Sequence, residues 1–464
     1  MTVSTTRPSP ISIDQLRQAV RGRVIGPDDA EYDSARTVVA GGIDRRPAAI
    51  VRVADADDVA RVIGIARQTG LELAVRCGGH SASGHGTTDG GLVIDVRDLK
   101  GLDIDVGTRT AWASSGLTAG EYTTAAVEHG LATGFGDTAS VGLAGLTLGG
   151  GVGYLGRKHG LTIDNLLAAE IVTADGEVIL TDAESHPDLF WAIRGGGGNF
   201  GVVTSFEFRA HPVSTVVGGP MMWPIESTAE VLRFYRDLMA DAPRDLYGWF
   251  GIGTVPPAPG FPEALHLRKV ALIVWCHVGS LEEANAALEP ARRLGPPLLD
   301  GVGEVPYPGL QAAFDELYPK GLQWYWRHDF VRELSDEAIE RHQEFGLKLP
   351  TMHSTMHLYP VDGAVHDVGA SETAFGFRDC RFSQVIVGVD PDPAKADELR
   401  SFAVEYWEAL HPHSAGGAYV NMMMEEGIER VRASYAGNYE RLQRVKAAYD
   451  PDNVFRVNQN IVPA

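Results

Sequence analysis

A histidine and a serine follow two glycines in the stretch Val75-Arg76-Cys77-Gly78-Gly79-His80-Ser81. Glycine tolerates positive φ and lets the main chain approach a ligand closely. Successive N–H groups in such a turn form a concave nest that suits a pyrophosphate. His80 then stands at the rim of that nest, with its imidazole beside whatever the phosphates belong to. A second glycine-rich stretch, Val141-Gly142-Leu143-Ala144-Gly145-Leu146-Thr147-Leu148-Gly149-Gly150-Gly151-Val152-Gly153-Tyr154, runs on towards Asn165. A third, Arg194-Gly195-Gly196-Gly197-Gly198-Asn199-Phe200-Gly201-Val202-Val203, holds four glycines in a row. Each glycine loses much conformational freedom on folding. Such a run makes most sense where the backbone lies against a flat or charged ligand.

Other chemistries have weaker support. Ser81 and Ser83 near His80 and His85 suggest a hydrolase, yet no Gly-x-Ser-x-Gly elbow exists. His353 and His357 are four apart and could share a helix face as metal ligands. No His-Glu-x-x-His arrangement accompanies them, so no metal site is expected. The three cysteines, Cys77, Cys276 and Cys380, lack metal-site spacing and an odd count leaves one unpaired. Free thiols in a reducing cytoplasm fit best, with Cys77 a small space-filler in its turn. Aromatic and histidine side chains collect at Trp324, Tyr325, Trp326, His353, His357 and Tyr359. If Trp324 and Trp326 face one way on a strand, Tyr325 faces the other.

With these motifs in view, the chain resembles the berberine-bridge-enzyme-like FAD-linked oxidases of the vanillyl-alcohol oxidase superfamily. The resemblance rests on the Arg-x-Gly-Gly-His turn, the Val-Gly-x-x-Gly stretch, Asp188-Leu189-Phe190-Trp191 leading into the four glycines, and the tail from Tyr435 to Ile461. It runs from about Gly26 to the C-terminus and is loosest between about Val216 and Ala415. The fold it implies is α+β: a two-domain PCMH-type FAD-binding fold with an antiparallel-sheet substrate domain. The FAD domain would span 1–215, with its core at about 43–214, the substrate domain 216–417, and a segment at 418–464 would return to the FAD domain.

The resemblance also implies chemistry. His80 would carry FAD covalently through the flavin 8α-methyl. Around the cofactor would stand Arg76, Cys77, Gly78, Gly79, Ser81, Gly136, Asp137, Thr138, Val141, Gly142, Gly145, Gly149, Gly150, Gly153, Tyr154, Asn165, Gly198, Asn199, Gly201, Val202, Val203, Asn421 and Asn458. Many relatives make a second link through a cysteine where this chain has Thr138, so a single link is expected. Val141 matches a position that gates oxygen, and its small side chain leans towards an oxidase using O2 on an alcohol, sugar or secondary metabolite. A dehydrogenase passing electrons to a carrier or quinone is the alternative, and a non-catalytic binder on the same scaffold a third reading. Tyr419, in Gly417-Ala418-Tyr419-Val420-Asn421, matches a Tyr-x-Asn pattern and is the candidate base. A phenol with a pKa of about 10 needs lowering for that task. Phe375-Gly376-Phe377-Arg378 lacks the histidine that relatives carry there.

The elements that must hold these residues begin with an amphipathic helix over Ile11 to Val24. A β-α-β opening follows: a strand at Pro47–Val53, a helix at Asp55–Thr69 stopped by Gly70, and strands at Leu73–Val75 and Leu92–Val96. No Gly-x-Gly-x-x-Gly follows the first strand, which argues against an NAD-type dinucleotide fold. A hairpin is expected over Ala174-Asp175-Gly176. Helices are expected at Ser227–Met239, Ser280–Leu294, Asp336–Leu349 and Pro393–Leu410, with strands between them.

At 464 residues, two domains are the prior. With 40 basic and 61 acidic residues the formal charge is −21, which repels nucleic acid and anionic membranes. No apolar run approaches the ~20 residues of a spanning helix. Met1 to Pro10 is polar, lacks signal-peptide regions, and reads as a short disordered arm. A cytoplasmic enzyme of small molecules is expected, with its oligomeric state left open.

Overall fold

The computed structural model describes residues 12–464. The expected N-terminal arm and the start of the first helix at Ile11 lie outside the described residues. That helix runs Ile13–Ala19, capped by the Ser12 hydroxyl. It stops short of Val24, which instead sits on the strand Arg23–Ile25. The Asp58 carboxylate accepts the N–H groups of Arg21 and Gly22 at 2.8 and 2.7 Å and turns the chain between the two elements. A Cβ on Gly22 would lie 2.0 Å from the Arg52 carbonyl oxygen, so only glycine passes this close.

Arg23–Ile25 opens a four-stranded sheet that continues through Ala49–Arg52, Leu92–Asp95 and Leu73–Arg76. The inner pairings are parallel, as the expected β-α-β unit requires. Its crossover helix, Ala56–Thr69, is capped by Asp55 and ends at Gly70 with φ 71°. The helix buries Val59, Val62, Ile63 and Ala66 against the sheet. Burying one valine or isoleucine side chain stabilises by about 1.5–3 kcal/mol.

A second, antiparallel sheet has the order Leu102–Asp105, Thr110–Ser114, Val202–Arg209, Leu166–Val172 and Val178–Asp182. The last two strands form the hairpin expected over Ala174-Asp175-Gly176. Helix Ala119–Val127, closed by a Thr118–Glu121 capping box, packs Tyr122 into the same core.

The third sheet is large and antiparallel: Leu299–Asp300, Thr215–Pro224, Lys269–His277, Leu246–Thr254, Thr355–Pro360, Phe382–Asp390 and Gln323–Val331, with Gly303–Pro306 added beside Thr215–Pro224. Its two faces follow the period-2 alternation of strands. On Leu246–Thr254, Leu246, Phe250 and Ile252 face one core while Tyr247 and Trp249 face the other. Helices Thr228–Asp241, Leu281–Arg293, Asp336–Leu347 and Ala396–Leu410 cover the first face. The second face turns its aromatics towards the glycine-rich segments. No described helix is long and apolar enough to cross a membrane.

The chain after Gly417 returns to the first half. Tyr435, Tyr439, Leu442, Val445 and Ile461 join the core of the second sheet.

Candidate active site

One cavity of about 490 Å³ lies where the three sheets meet. One wall is main chain: residues 76–82, the 136–148 segment and the 197–203 loop. The opposite wall is aromatic and belongs to the large sheet. It holds Trp249, Trp324, Trp326, His357 and Tyr359, joined by Phe314 and Tyr318 from the 314–318 turn. Trp324 and Trp326 share the cavity face of their strand, and Tyr325 packs among the helices on the other side, as alternation requires. His353 does not line the cavity, and it shares no helix with His357, which sits on Thr355–Pro360.

The double-glycine turn is built by close contact. A Cβ on Gly78 would lie 2.5 Å from the amide nitrogen of Gly142, so the first and second glycine-rich segments abut there. The Arg76 guanidinium is bound to the buried Asp95 carboxylate at 2.7 Å. This pair fixes the strand end that carries the turn, and both Arg76 and Cys77 line the cavity. Cys77 is buried, its thiol pushed up to about 11 by desolvation, which makes it inert filler. His80 lines the cavity, and burial pushes its imidazole down to about 4 against a smaller opposing effect of the Ser140 main chain. At neutral pH it is uncharged, with a ring nitrogen lone pair available.

The structure brings most of the sequence-selected residues to this cavity. Gly78, Gly79, Ser81, Gly136, Asp137, Thr138, Val141, Gly142, Gly145, Gly198, Asn199, Gly201, Val202, Val203, Tyr419, Asn421 and Asn458 all line it. Five do not. The Asn165 amide donates to the carbonyls of His159 and Leu161, holding a turn. Gly149, Gly150 and Gly153 are glycines because a Cβ would meet the Asn421 side chain, Phe375 or the Phe135 carbonyl. Tyr154 is buried against Tyr247. Neighbouring packing, rather than a ligand, explains these letters. Arg378 pairs with Asp164 at 2.7 Å, and Phe375 and Phe377 pack on Phe330, so that segment is structural.

Tyr419 is buried, and its oxygen accepts the Gly151 N–H at 2.8 Å and an Asn421 Nδ2–H at 2.9 Å. Desolvation pushes its phenol up to about 12. The lowering a base requires is therefore absent. The nearby His328 is buried and held neutral, and its Nδ1 accepts the Tyr419 N–H at 3.0 Å.

Sequence reasoning missed how the 136–140 segment is held. The Asp315 carboxylate accepts the N–H groups of Ala139 and Ser140 at 3.1 and 2.9 Å, and Gln311 donates to the Gly136 carbonyl at 3.0 Å. It also missed Trp249, Phe314 and Tyr318; the odd-numbered spacing of Tyr247 and Trp249 was the available signal. A further missed residue is Lys446, fully buried, which ties the C-terminal helix to the 196–199 loop.

The walls fit a dinucleotide with a flat ring system. A Cβ on Gly145 or Gly198 would meet no protein atom within 4 Å, so main chain is laid bare to the cavity at both. The Oδ1 atom of Asn458, which lines the cavity, is buried without a hydrogen-bond partner. Unmatched buried polar atoms of this kind call for a ligand's donors.

Comparison with known proteins agrees. A family model described as "FAD binding domain" matches residues 47–182, and one described as "Berberine and berberine like" matches 418–462. The FAD-linked oxidoreductase YgaK of Bacillus subtilis (strain 168) is 31% identical over 449 residues, covering 95% of this chain and 97% of YgaK. The (R)-6-hydroxynicotine oxidase of Paenarthrobacter nicotinovorans is 30% identical over 462 residues, covering 96% of this chain and 97% of that protein. The crystal structure of 6-hydroxy-D-nicotine oxidase from Arthrobacter nicotinovorans superimposes with a TM-score of 0.85 at 28% identity, covering 96% and 98% of the two chains.

Proposed function

This chain belongs to the berberine-bridge-enzyme-like FAD-linked oxidoreductases, and we propose that it is an oxidase with FAD bound covalently to His80 and O2 as electron acceptor. The observation that carries the attachment is His80 itself. It is a neutral imidazole at the cavity wall, at the end of a glycine turn pressed against a second glycine-rich segment. Protonation would remove the lone pair that attachment needs, and burial disfavours protonation.

The turn at Gly78 and Gly79, the 141–145 segment and the 198–203 loop would hold the cofactor, with Asn458 from the returning tail. FAD would supply the two-electron acceptor for a substrate C–H bond. Thr138 in place of a cysteine supports a single covalent link. The substrate would sit against Trp249, Trp324, Trp326 and Tyr318, a wall suited to the flat face of an alcohol, sugar or aromatic metabolite. The low-polarity surroundings exclude water from the reacting carbon. Substrate enters, we infer, as a small molecule, and the strongly acidic chain argues against a nucleic-acid partner.

A panel of alcohols, sugars and cyclic amines, read by loss of flavin absorbance without air and by peroxide in air, tests this reading. Bleaching with stoichiometric peroxide supports an oxidase. Bleaching without peroxide in air transfers the assignment to a dehydrogenase. A flavin that no compound bleaches leaves only a binding protein.

A further inference from the structure

Burial of Tyr419 outweighs the hydrogen bonds from Gly151 and Asn421 that act to lower its phenol, yet oxidation of an alcohol or amine needs a group to take the O–H or N–H proton. The cavity wall offers one opposite the glycine segments. His357 and Tyr359 stand on the same face of strand Thr355–Pro360, and His357 Nδ1 lies 2.7 Å from the Tyr359 hydroxyl. The Trp249 ring, with its centroid 4.5 Å away, holds the imidazole against the strand. His357 Nε2 has no hydrogen-bond partner among the described residues, and the residue lines the cavity. Tyr359 and Asp137 line the same cavity, and each side chain influences the other's ionisation. Asp137 lies three residues before Ser140, whose main chain meets the His80 ring. The three side chains thus bridge the aromatic wall and the segment next to the attachment histidine.

Resting on the flavin reading above, we propose that His357, Tyr359 and Asp137 form the proton path of this site, with His357 Nε2 accepting the substrate proton and Tyr359 passing a proton on to Asp137. The bonds balance as follows. The substrate O–H or N–H bond breaks and an Nε2–H bond forms. The Nδ1 proton moves to the Tyr359 oxygen, and the Tyr359 proton moves to an Asp137 oxygen. The electron pair left on the substrate oxygen or nitrogen forms the new double bond to carbon as the C–H pair passes as hydride to FAD. FAD, when bound, would take the two electrons that the substrate loses, and the proton rests on Asp137. His357 is the catalytic residue of the three; Tyr359 and Asp137 act through it.

The electrostatics decide where the proton stops. Burial pushes His357 down to about 3, so an imidazolium is a poor resting place. The same desolvation raises Asp137, and the charged group nearest to oppose or assist it is another acid, Asp315. The remaining neighbours are the hydroxyls of Tyr154, Tyr247, Tyr307, Tyr318 and Tyr359, each kept neutral first by burial, with the Asp137 charge adding to the effect. A carboxylate with no cation beside it is a better proton sink than a buried imidazole.

The path requires one tautomer: Nδ1 protonated and Nε2 bare. Nitrogen-15 spectra of the holoenzyme with labelled histidine read this directly, with the His357 signal identified by its loss in His357→Gln. The expected result is an Nδ1–H tautomer in the wild type that shifts towards Nε2–H in Asp137→Asn or Tyr359→Phe; the bleaching rate then separates a proton path from a merely structural hydrogen bond. With a substrate found by the panel, His357→Gln should slow anaerobic bleaching on the order of 10²-fold or more, with flavin content unchanged. An Nε2–H tautomer in the wild type, or one unmoved by both variants, overturns the proposal. So does a His357→Gln rate within a few-fold of wild type. A colourless wild-type protein would instead defeat the flavin reading, a result separable from either.

Discussion

The Lys446 ammonium donates to the Asn199 carbonyl at 2.7 Å from a position with no solvent exposure. It also binds the Asp450 carboxylate at 2.6 Å and the Phe455 carbonyl at 2.8 Å. One side chain thereby joins the C-terminal helix, the turn after it and the four-glycine loop on the cavity. Tyr435 and Asn458 add bonds from the same segment to Gly196 and Gly198.

Removing that ammonium leaves Asp450 buried and unpaired. Lys446→Ala should lower stability by about 3–5 kcal/mol, seen as a lower urea midpoint by circular dichroism. Because the 196–199 loop lines the cavity, flavin content per chain should fall as well. A variant as stable and as fully loaded as wild type would show that the tail does not organise the site.

Tyr419→Phe removes an acceptor from the Gly151 N–H and Asn421. Leaving buried donors unmatched costs about 1–3 kcal/mol, so the midpoint should drop. The rate of flavin bleaching should change far less than in His357→Gln. A Tyr419→Phe variant of normal stability with bleaching abolished would restore Tyr419 as the base.

Several histidines are held neutral by burial. His80 and His211 are pushed down to about 4, and His159 to about 3, with the His159 and His211 rings stacked at 3.7 Å. Each binds a proton more readily in the unfolded chain, where the ordinary value is about 6.5. Their contribution is therefore fully present above pH 6.5 and declines as pH falls towards 4. The raised carboxyls of Asp137, Asp315 and Glu426 act in the opposite direction. Replacing His159 and His211 together by Phe should flatten the loss of stability between pH 6.5 and 4, measured by urea titration at each pH. An unchanged slope would remove these rings as the source of acid sensitivity.

Thr138 lines the cavity at the position where relatives in the resemblance carry a flavin-linked cysteine. A Thr138→Cys, His80→Ala double variant should retain part of its flavin through acid precipitation, whereas His80→Ala alone should lose all of it. No retention in the double variant would mean that residue 138 does not face the reactive edge of the cofactor.

Much of the scaffold was legible because short-range signals dictated it. Asp55 and Gly70 bounded their helix, and Ala174-Asp175-Gly176 set a hairpin. The alternation of Trp324, Tyr325 and Trp326 put the two tryptophans on one face and Tyr325 on the other, and the structure turns the tryptophan face to the cavity. The glycine segments were legible as ligand walls but not residue by residue. Gly145 and Gly153 look alike in sequence, yet one opens onto the cavity and the other is pressed against the Phe135 carbonyl. That difference depends on distant chain. The same holds for His357, which gains meaning only when strand pairing and the Asp315-held segment bring Asp137 to Tyr359.

The most direct test of His80-bound FAD is the intact mass of the purified protein under denaturing conditions, taken with its visible spectrum. The expected result is a mass raised by one FAD, with the increment lost in His80→Ala. An unmodified mass with free FAD released would keep the cofactor and remove the covalent bond. An unmodified mass with no flavin at all would contradict the assignment of the cavity.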